Sequence, residues 1–169
     1  MQETKAHAQP KPEPIETKEA QKVIFQPNKG PQTEFLSATE REVLYGGSAG
    51  GGKSYAMLAD PVRYFNNPHF RGLLIRRTTE ELRELISASK QLYPEAIPNI
   101  KFMERDKTWV APSGATLWLS YLDRDDDVTR YQGQAFSWIG FDELTQWPTS
   151  YPFDYMRSRL RTTKDSGLE

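Results

Sequence analysis

The chain has 169 residues, with 22 basic and 23 acidic side chains and a net charge of −1. It is long enough for one domain with a buried core, and it has no global attraction to nucleic acid. It contains no cysteine and only two histidines, which excludes disulfides and thiolate metal sites and argues against zinc. No stretch approaches the roughly 20 apolar residues of a membrane-spanning helix, and no apolar signal core follows Met1. We therefore expect a soluble, intracellular protein without membrane contacts.

The first thirty residues are predicted to form a flexible N-terminal arm. They mix Lys, Glu, Gln and Pro with few large apolar side chains, so they cannot bury enough surface to fold alone. A short helix around Glu16 to Lys22 is compatible with the composition, and a docking arm for a partner is the alternative to a plain disordered tail. The ordered domain is predicted to span residues 31–169, beginning at Pro31.

A glycine-rich stretch from Gly47 to Ser54 matches the phosphate-binding pattern G-x-x-x-x-G-K-[ST]. Glycine lets successive backbone N–H groups turn toward a phosphate without a Cβ clash. A lysine ammonium reaches the terminal phosphates, and the serine hydroxyl is the natural ligand for Mg²⁺. A strand from Glu42 to Tyr45 is expected to lead into this loop. The residues predicted to bind a nucleotide here are Gly47, Ser48, Ala49, Gly50, Gly51, Gly52, Lys53 and Ser54.

The segment that follows alternates helical and strand patterns. A helix should leave Lys53 and be kinked or restarted at Pro61. Residues 72–76 read as a buried strand, and a capping box at residues 78–81 begins a helix that should last until Pro94. This order predicts a doubly wound α/β sheet. Arg76 and Arg77 end the strand, where helix capping or surface solvation is the favoured role.

Residues 101–121 change to short strands, at 101–103, 108–111 and 115–121, with a turn at 112–114. This pattern predicts an antiparallel insertion, with Trp109 and Trp118 filling its packed face. A later helix is expected from Tyr151 to Arg161, with its arginines salt-bridged at the surface.

An apolar strand at residues 136–141 ends in Asp142 and Glu143. In a chain that also has a phosphate loop, such a pair supplies the metal-binding carboxylate and the base that phosphoryl transfer needs. Asp142 is the predicted Mg²⁺ ligand beside Ser54, and Glu143 is the predicted base that orients and deprotonates the attacking water.

Gln32 precedes the phosphate loop by a short distance. A glutamine amide can donate to and accept from the edge of adenine at once, so Gln32 is a candidate base reader. A polar residue at the start of a helix is an equally good interpretation.

Residues 31–161 resemble the ATPase domain of the large terminase subunits, the DNA-packaging motors of tailed bacteriophages. The resemblance rests on several pieces in the same order. These are Pro31-Gln32, the 44–54 loop, Leu74-Ile75-Arg76-Arg77-Thr78 and its helix, Tyr131-Gln132-Gly133, and residues 139–146.

The resemblance implies a P-loop NTPase fold of the additional-strand type, with a mainly parallel sheet and an antiparallel β insertion. It implies ATP hydrolysis with Mg²⁺ that drives double-stranded DNA into a capsid from a homo-oligomeric ring, in the cytoplasm of the bacterial host. The implied partners are the portal protein and the small terminase subunit. An arginine finger is also implied, with Arg130 as the first candidate and Arg76 and Arg77 behind it.

Members of that family continue through further strands of the sheet and a nuclease domain, so the ATPase domain is expected to be partial here, truncated at its C-terminus, and to lack nuclease activity. Two alternatives stay open at this point. One is a nucleotide-binding or assembly fragment without autonomous turnover, and the other is a different additional-strand ATPase such as a helicase.

Overall fold

A five-stranded sheet forms the centre of the structure, a computed structural model that describes residues 22–47, 50, 52–162 and 166–168. Short helices and 3₁₀ turns connect the strands. The strands are β1 (Arg71–Arg76), β2 (Lys101–Met103), β3 (Thr108–Val110), β4 (Thr116–Tyr121) and β5 (Trp138–Phe141). The α-helices are α1 (Pro31–Ser37), α2 (Lys53–Ala59), α3 (Thr79–Ala96) and α4 (Tyr151–Arg157), and the 3₁₀ helices are Asp60–Tyr64, Asp125–Tyr131 and Leu144–Gln146.

The strand order is β2-β3-β4-β1-β5. β1 lies between two parallel neighbours, pairing Arg71 to Arg76 with Thr116 to Tyr121 on one side and residues 72–75 with residues 138–141 on the other. β2 and β3 extend the sheet beyond β4 by antiparallel pairing. The α/β class is therefore confirmed, but within the described residues the sheet is evenly mixed rather than mainly parallel. β4 is not confined to the antiparallel insertion, because it also pairs with β1.

The two faces of the sheet bury separate apolar clusters. Leu74 points to one face with α2 and α3, while Leu73 and Ile75 point to the other with the 125–131 turn and α4, as the alternation of a strand requires. Trp109 packs in the first cluster and Trp118 against the second. Both tryptophans pack against the core as predicted, although on opposite faces.

Local signals set the helix boundaries. α2 passes into a 3₁₀ helix at Asp60, next to Pro61, which confirms the predicted restart. The capping box of Thr78 and Glu81 begins α3 as predicted. α3 ends at Ala96 rather than at Pro94, because a proline this close to a helix end removes only one of its hydrogen bonds.

The predicted strand from Glu42 to Tyr45 is wrong, because residues 43–47 have no regular secondary structure. Leu44 is 81% exposed. A strand needs a neighbour for its N–H and C=O groups, and in the described part of the chain residues 43–47 pair with none. The apolar pattern there did not suffice to form a strand.

The described part of the N-terminal arm has no regular secondary structure before a turn at residues 29–30. Its Phe25 ring lies 5.1 Å from the ring of Tyr55. The helix predicted around residues 16–22 falls almost wholly outside the described residues. The predicted C-terminal helix is shorter than expected, ending at Arg157, and the Arg157 guanidinium pairs with Glu42 at 2.6 Å. No helix in the described ranges is long and apolar enough to cross a membrane.

Candidate functional site

The carboxyl ends of β4, β1 and β5 meet at one edge of the sheet, because the three strands are parallel. The backbone N–H of Asp142, directly after β5, donates to the carbonyl of Ile75 at 3.0 Å. This bond continues the ladder by one residue and places Asp142 beside the end of β1. Ligands of open α/β sheets bind at such an edge.

Arg76, the last residue of β1, joins α2 to this edge. Its Nη2 donates to Ser54 Oγ at 2.9 Å and lies 2.6 Å from Asp142 Oδ2. The side chains of Arg76 and Asp142 are only 9% and 2% exposed. The structure therefore brings together the two residues predicted as Mg²⁺ ligands, through one guanidinium nitrogen.

The favoured surface role for Arg76 is wrong, because its side chain is buried and ion-paired. The signal for this was in the sequence: Arg76 ends an apolar run, and the Asp-Glu pair ends another. If the two runs are neighbouring parallel strands, their final residues must meet at the same edge. Sequence reasoning identified both strands but did not pair them.

Glu143 has a left-handed backbone, with φ 56° and ψ 46°. Such a conformation costs a non-glycine residue on the order of 1–3 kcal/mol and is concentrated at functional sites. With this backbone conformation the Glu143 side chain points in a different direction from that of Asp142, and the chain turns into the next 3₁₀ helix. The strain is a reason for assigning Glu143 a role beyond packing.

The turn after Glu143 is tied to the start of α3. Gln146 Nε2 donates to Glu81 Oε1 at 2.7 Å, and Glu81 is also held by the capping box of Thr78. Partial burial raises the pKa of Glu81, but the hydrogen bonds from Gln146 and Thr78 outweigh it and hold the pKa below its ordinary value. An ionised Glu81 thus anchors the segment that carries Glu143.

A cavity of about 780 Å³ opens between residues 43–47 and β5. Gly47, Lys53, Asp142 and Glu143 all line it. Its volume lies in the range of roughly 300–1,000 Å³ that small-molecule sites occupy. Lys53 Nζ donates to the Gly47 carbonyl at 3.1 Å across the glycine-rich stretch. Four predicted site residues therefore share one concave surface.

Gln32 contacts the end of the same glycine-rich stretch. Its Nε2 donates to the Gly52 carbonyl at 2.9 Å, and its Oε1 accepts from the Asn28 N–H at 2.7 Å. Both ends of the amide bind the chain's own backbone, so its reading of adenine stays a prediction. Gly50 and Gly52 have the positive φ that favours glycine. Ser48, Ala49 and Gly51 lie outside the described residues.

Arg130 lies over the end of β4, away from Asp142 by the width of β1. Its Nη2 donates to the Tyr121 carbonyl at 2.8 Å, and it pairs with Asp127 at 3.4 Å. Arg77 is held by Asp125 and the Leu122 carbonyl. Of the three arginine candidates, only Arg76 contacts Ser54 and Asp142 in the structure, and the arginine-finger role of Arg130 stays a prediction.

Few side chains that can bind a metal lie at this edge of the sheet. Among the described residues no group of three His, Cys, Asp or Glu side chains is placed to hold a metal. Ser54 and Asp142 offer one hydroxyl and one carboxylate. Mg²⁺ fits such a pair, because it commonly binds through one or two carboxylates together with substrate phosphates and water.

The comparisons with known proteins point to one family. The family model described as "Terminase large subunit, T4likevirus-type, N-terminal" matches residues 44–166, a range that includes β1 to β5 together with Lys53, Asp142 and Glu143. A search of the curated proteins gave no match, and a search of the solved structures gave none.

The match covers far more than half of the 169 residues and begins within the segment that leads into the glycine-rich loop. It implies a role in packaging viral DNA. From this match, the chain belongs to the family of terminase large subunits, of which it carries the N-terminal portion.

Proposed function

We propose that this chain binds ATP with Mg²⁺ and hydrolyses it, as the P-loop ATPase of a motor that translocates double-stranded viral DNA into a capsid. Terminase large subunits are generally ATPases, and the 47–54 pattern supplies the phosphate site that such an activity needs. Family membership favours this proposal over a helicase, which was open from the sequence.

One observation carries the proposal: Ser54 and Asp142, far apart in sequence, both lie within 3 Å of Arg76 Nη2. A phosphate-loop hydroxyl and a strand-end carboxylate must be close if they are to share one cation. The proximity of these two residues in the structure supports the proposal.

The residues divide the chemistry between them. Lys53 contacts the terminal phosphates of ATP with its ammonium group, and the glycine backbone surrounds them. Glu143 accepts a proton from the water that attacks the γ-phosphorus. The bond between the γ-phosphorus and the bridging oxygen breaks, and ADP leaves with that oxygen. General-base help of this kind contributes roughly 10² to 10⁴ in rate.

Mg²⁺ neutralises the phosphate charge when it is bound, and Ser54 and Asp142 are the residues that would hold it. The structure offers a test of this fit, because Asp142 Oδ2 is buried and has no hydrogen bond of normal geometry within the described part of the chain. Its charged neighbour is Arg76 Nη2, at 2.6 Å, and the oxygen still lacks a hydrogen bond of regular geometry.

In the assembled motor we propose that the chain forms a homo-oligomeric ring, with the portal protein, the small terminase subunit and DNA as partners, in the cytoplasm of the host. Arg130 supports this arrangement, because its side chain is 43% exposed at the carboxyl edge of the sheet and is accessible to a neighbouring subunit. An arginine supplied in trans raises phosphoryl-transfer rates by roughly 10³ to 10⁵.

A second function, nucleotide binding or assembly without turnover by this chain alone, has its own support. Residues 43–47 are not paired in the sheet, and β5 lies at its edge within the described residues. The wall of the cavity is therefore incomplete there. Hydrolysis in this case needs a further segment or a partner that closes the site.

Steady-state ATP hydrolysis, measured against protein concentration, separates the two functions. The motor proposal predicts turnover per chain that rises with concentration and is lost in Lys53→Ala and Glu143→Gln. Matched controls are Lys101→Ala and Glu104→Gln, on the exposed β2–β3 hairpin at the far side of the sheet. A rate equal to that of the two site variants at every concentration would favour binding without turnover.

Mixing variants tests the arginine finger. Arg130→Ala removes the finger but keeps Glu143, and Glu143→Gln does the reverse, so mixed rings contain some interfaces with both groups. We expect the mixture to regain part of the activity that each variant lacks. Arg105→Ala, in the β2–β3 turn, is the control and should behave as wild type. If the mixture stays inactive while the wild type turns over, Arg130 does not act in trans.

A further inference from the structure

Arg76 and Asp142 form a buried ion pair whose bonding capacity is not filled. Arg76 Nε and Asp142 Oδ2 are both inaccessible to solvent, and neither has a hydrogen bond of normal geometry among the described residues. Buried polar atoms are nearly always bonded. A guanidinium carries five N–H donors, and part of this fork has no acceptor. The pair is therefore incomplete, which indicates a further anionic ligand close to Arg76.

The position of Arg76 Nη2 conflicts with that of a bound metal. The nitrogen lies 2.6 Å from Asp142 Oδ2 and 2.9 Å from Ser54 Oγ. A Mg²⁺ ion requires its oxygen ligands at about 2.0–2.1 Å. An ion at that distance from both oxygens would crowd Nη2, and two positive charges would be in contact. Arg76 in its present position and Mg²⁺ exclude each other.

We propose that Arg76 is a resident cation that exchanges with Mg²⁺, an inference that rests on the proposed nucleotide site. Without nucleotide, Nη2 neutralises Asp142 and holds the Ser54 hydroxyl. When Mg²⁺ and nucleotide bind, Nη2 leaves both oxygens and the guanidinium donates its Nη and Nε hydrogens to a phosphate oxygen. Arg76 thereby becomes a phosphate-binding residue of the same chain.

Charge and backbone position both favour this exchange. An ionised carboxylate as buried as that of Asp142 is unfavourable without a cation. Arg76 therefore neutralises it while the metal is absent. After the exchange the guanidinium also needs an anion, and a phosphate supplies one bidentately. The Arg76 backbone need not move, because β1 is held between β4 and β5 and Leu122 N–H donates to the Arg76 carbonyl at 3.0 Å. Only the side chain has to turn.

The test compares wild type with Arg76→Gln in the binding of Mg²⁺ alone and of a fluorescent, non-hydrolysable ATP analogue, with Mg²⁺ and in EDTA. Without nucleotide, Mg²⁺ should bind the variant at a roughly tenfold lower concentration, because no resident cation has to leave Asp142 first. At saturating Mg²⁺ the analogue should bind the variant more weakly than wild type, because the contact of Arg76 with phosphate is lost. In EDTA the variant's affinity for the analogue should fall at least roughly tenfold, because the Asp142 carboxylate then faces the phosphates alone.

The control is Arg71→Gln, at the opposite end of β1, where the guanidinium contacts backbone carbonyls. It should leave all three affinities unchanged.

A Mg²⁺ affinity of the variant equal to that of wild type would overturn the exchange and leave a static ion pair. If the wild type binds no analogue at all, the proposed function fails with it, so the two failures are distinguishable.

A second measurement does not depend on the stability of Arg76→Gln. In the wild-type chain, the arginine Nε–H resonance that is lost in Arg76→Lys should shift when the analogue and Mg²⁺ are added together. The Arg71 resonance should not. An Arg76 resonance that does not move at saturating analogue would overturn the proposal.

Discussion

The two sides of β1 differ in how completely the sheet is closed. Toward β4, the strands pair over the whole length of β1, and β3 and β2 continue the sheet. Toward β5, the pairing is shorter and the sheet ends in the described residues. Beyond β5 lies the cavity, with residues 43–47 on its far wall. The closed side supplies a rigid frame, while the open side carries the residues proposed to bind ATP.

Strand pairing holds some residues of the proposed site in place but not others. The backbones of Arg76 and Asp142 are held by strand pairing, since Arg76 ends β1 and the Asp142 N–H extends the pairing of β5 with β1. Lys53, at the start of α2, lines the same cavity as Asp142. Catalytic groups held on paired strands keep their geometry, whereas a loop beside a cavity can close around a ligand.

Substitutions of two leucines should differ most in their effect on the free energy of unfolding. Leu74 is fully buried in the middle of β1, and Leu44 is 81% exposed beside the cavity. Leu74→Ala should lower the free energy of unfolding by about 2–5 kcal/mol, because it leaves a cavity in the closed side. Leu44→Ala should change it by no more than about 0.5 kcal/mol. Urea denaturation measures both. Equal losses would show that Leu44 is packed in the folded chain, contrary to its 81% exposure.

The next contrast uses two glycines that both have positive φ. Gly52 has φ +71°, and a Cβ there would lie 2.7 Å from Gln32 Nε2. Gly114 has φ +94° and open space around it. Both alanine variants should lose about 1–3 kcal/mol to backbone strain, but only Gly52→Ala should also weaken ATP binding, since it displaces Gln32 from the loop. Thermal unfolding and nucleotide titration of the same samples provide the comparison. ATP affinity unchanged in Gly52→Ala would separate the Gln32 contact from nucleotide binding.

Much of this architecture could be predicted from the sequence, and the reasons are local. The capping box at Thr78 and the apolar run of β1 specify their elements from neighbouring residues alone. The burial of Arg76 and the absence of a strand at residues 43–47 depend on pairing between distant segments, which periodicity does not report. The left-handed backbone of Glu143 was likewise without a local signal, because glycine and asparagine are the usual residues there.

A smaller effect is expected inside the closed side. The Tyr93 hydroxyl donates to the Leu58 carbonyl at 2.9 Å and joins α3 to α2. Burial raises the pKa of Tyr93 well above its ordinary value, so the hydroxyl stays protonated as a donor. Tyr93→Phe should cost about 1 kcal/mol, measured by urea denaturation. Tyr151→Phe, on an exposed side chain, is the control. A loss no greater than that of the control would mean that the buried bond does not stabilise the fold.

The smallest effect is a pH dependence at the cavity wall. Burial raises the pKa of Asp60 above its ordinary 3.8, although Arg63 and the indole N–H of Trp138 oppose the shift. The native state therefore binds more protons than the unfolded state just above pH 3.8, and the contribution of Asp60 to stability falls as the pH rises through that window.

Asp60→Asn should remove this contribution. The compared quantity is the unfolding free energy of wild type minus that of the variant. As the pH rises from about 4 to neutral, this difference should shift in favour of the variant. The shift should be smaller than the roughly 1 kcal/mol of a buried hydrogen bond. Denaturation at a series of pH values measures it. If the difference instead grew in favour of wild type as the pH rises, the pKa of Asp60 would be lowered rather than raised by folding.

The most direct test of the central claim is calorimetric titration of the wild-type chain and of Lys53→Ala with ATP in the presence of Mg²⁺. The claim that residues 47–54 and Asp142 form a nucleotide site predicts saturable binding of one ATP per wild-type chain and its loss in Lys53→Ala. No binding to wild type, or equal binding to both chains, would contradict it.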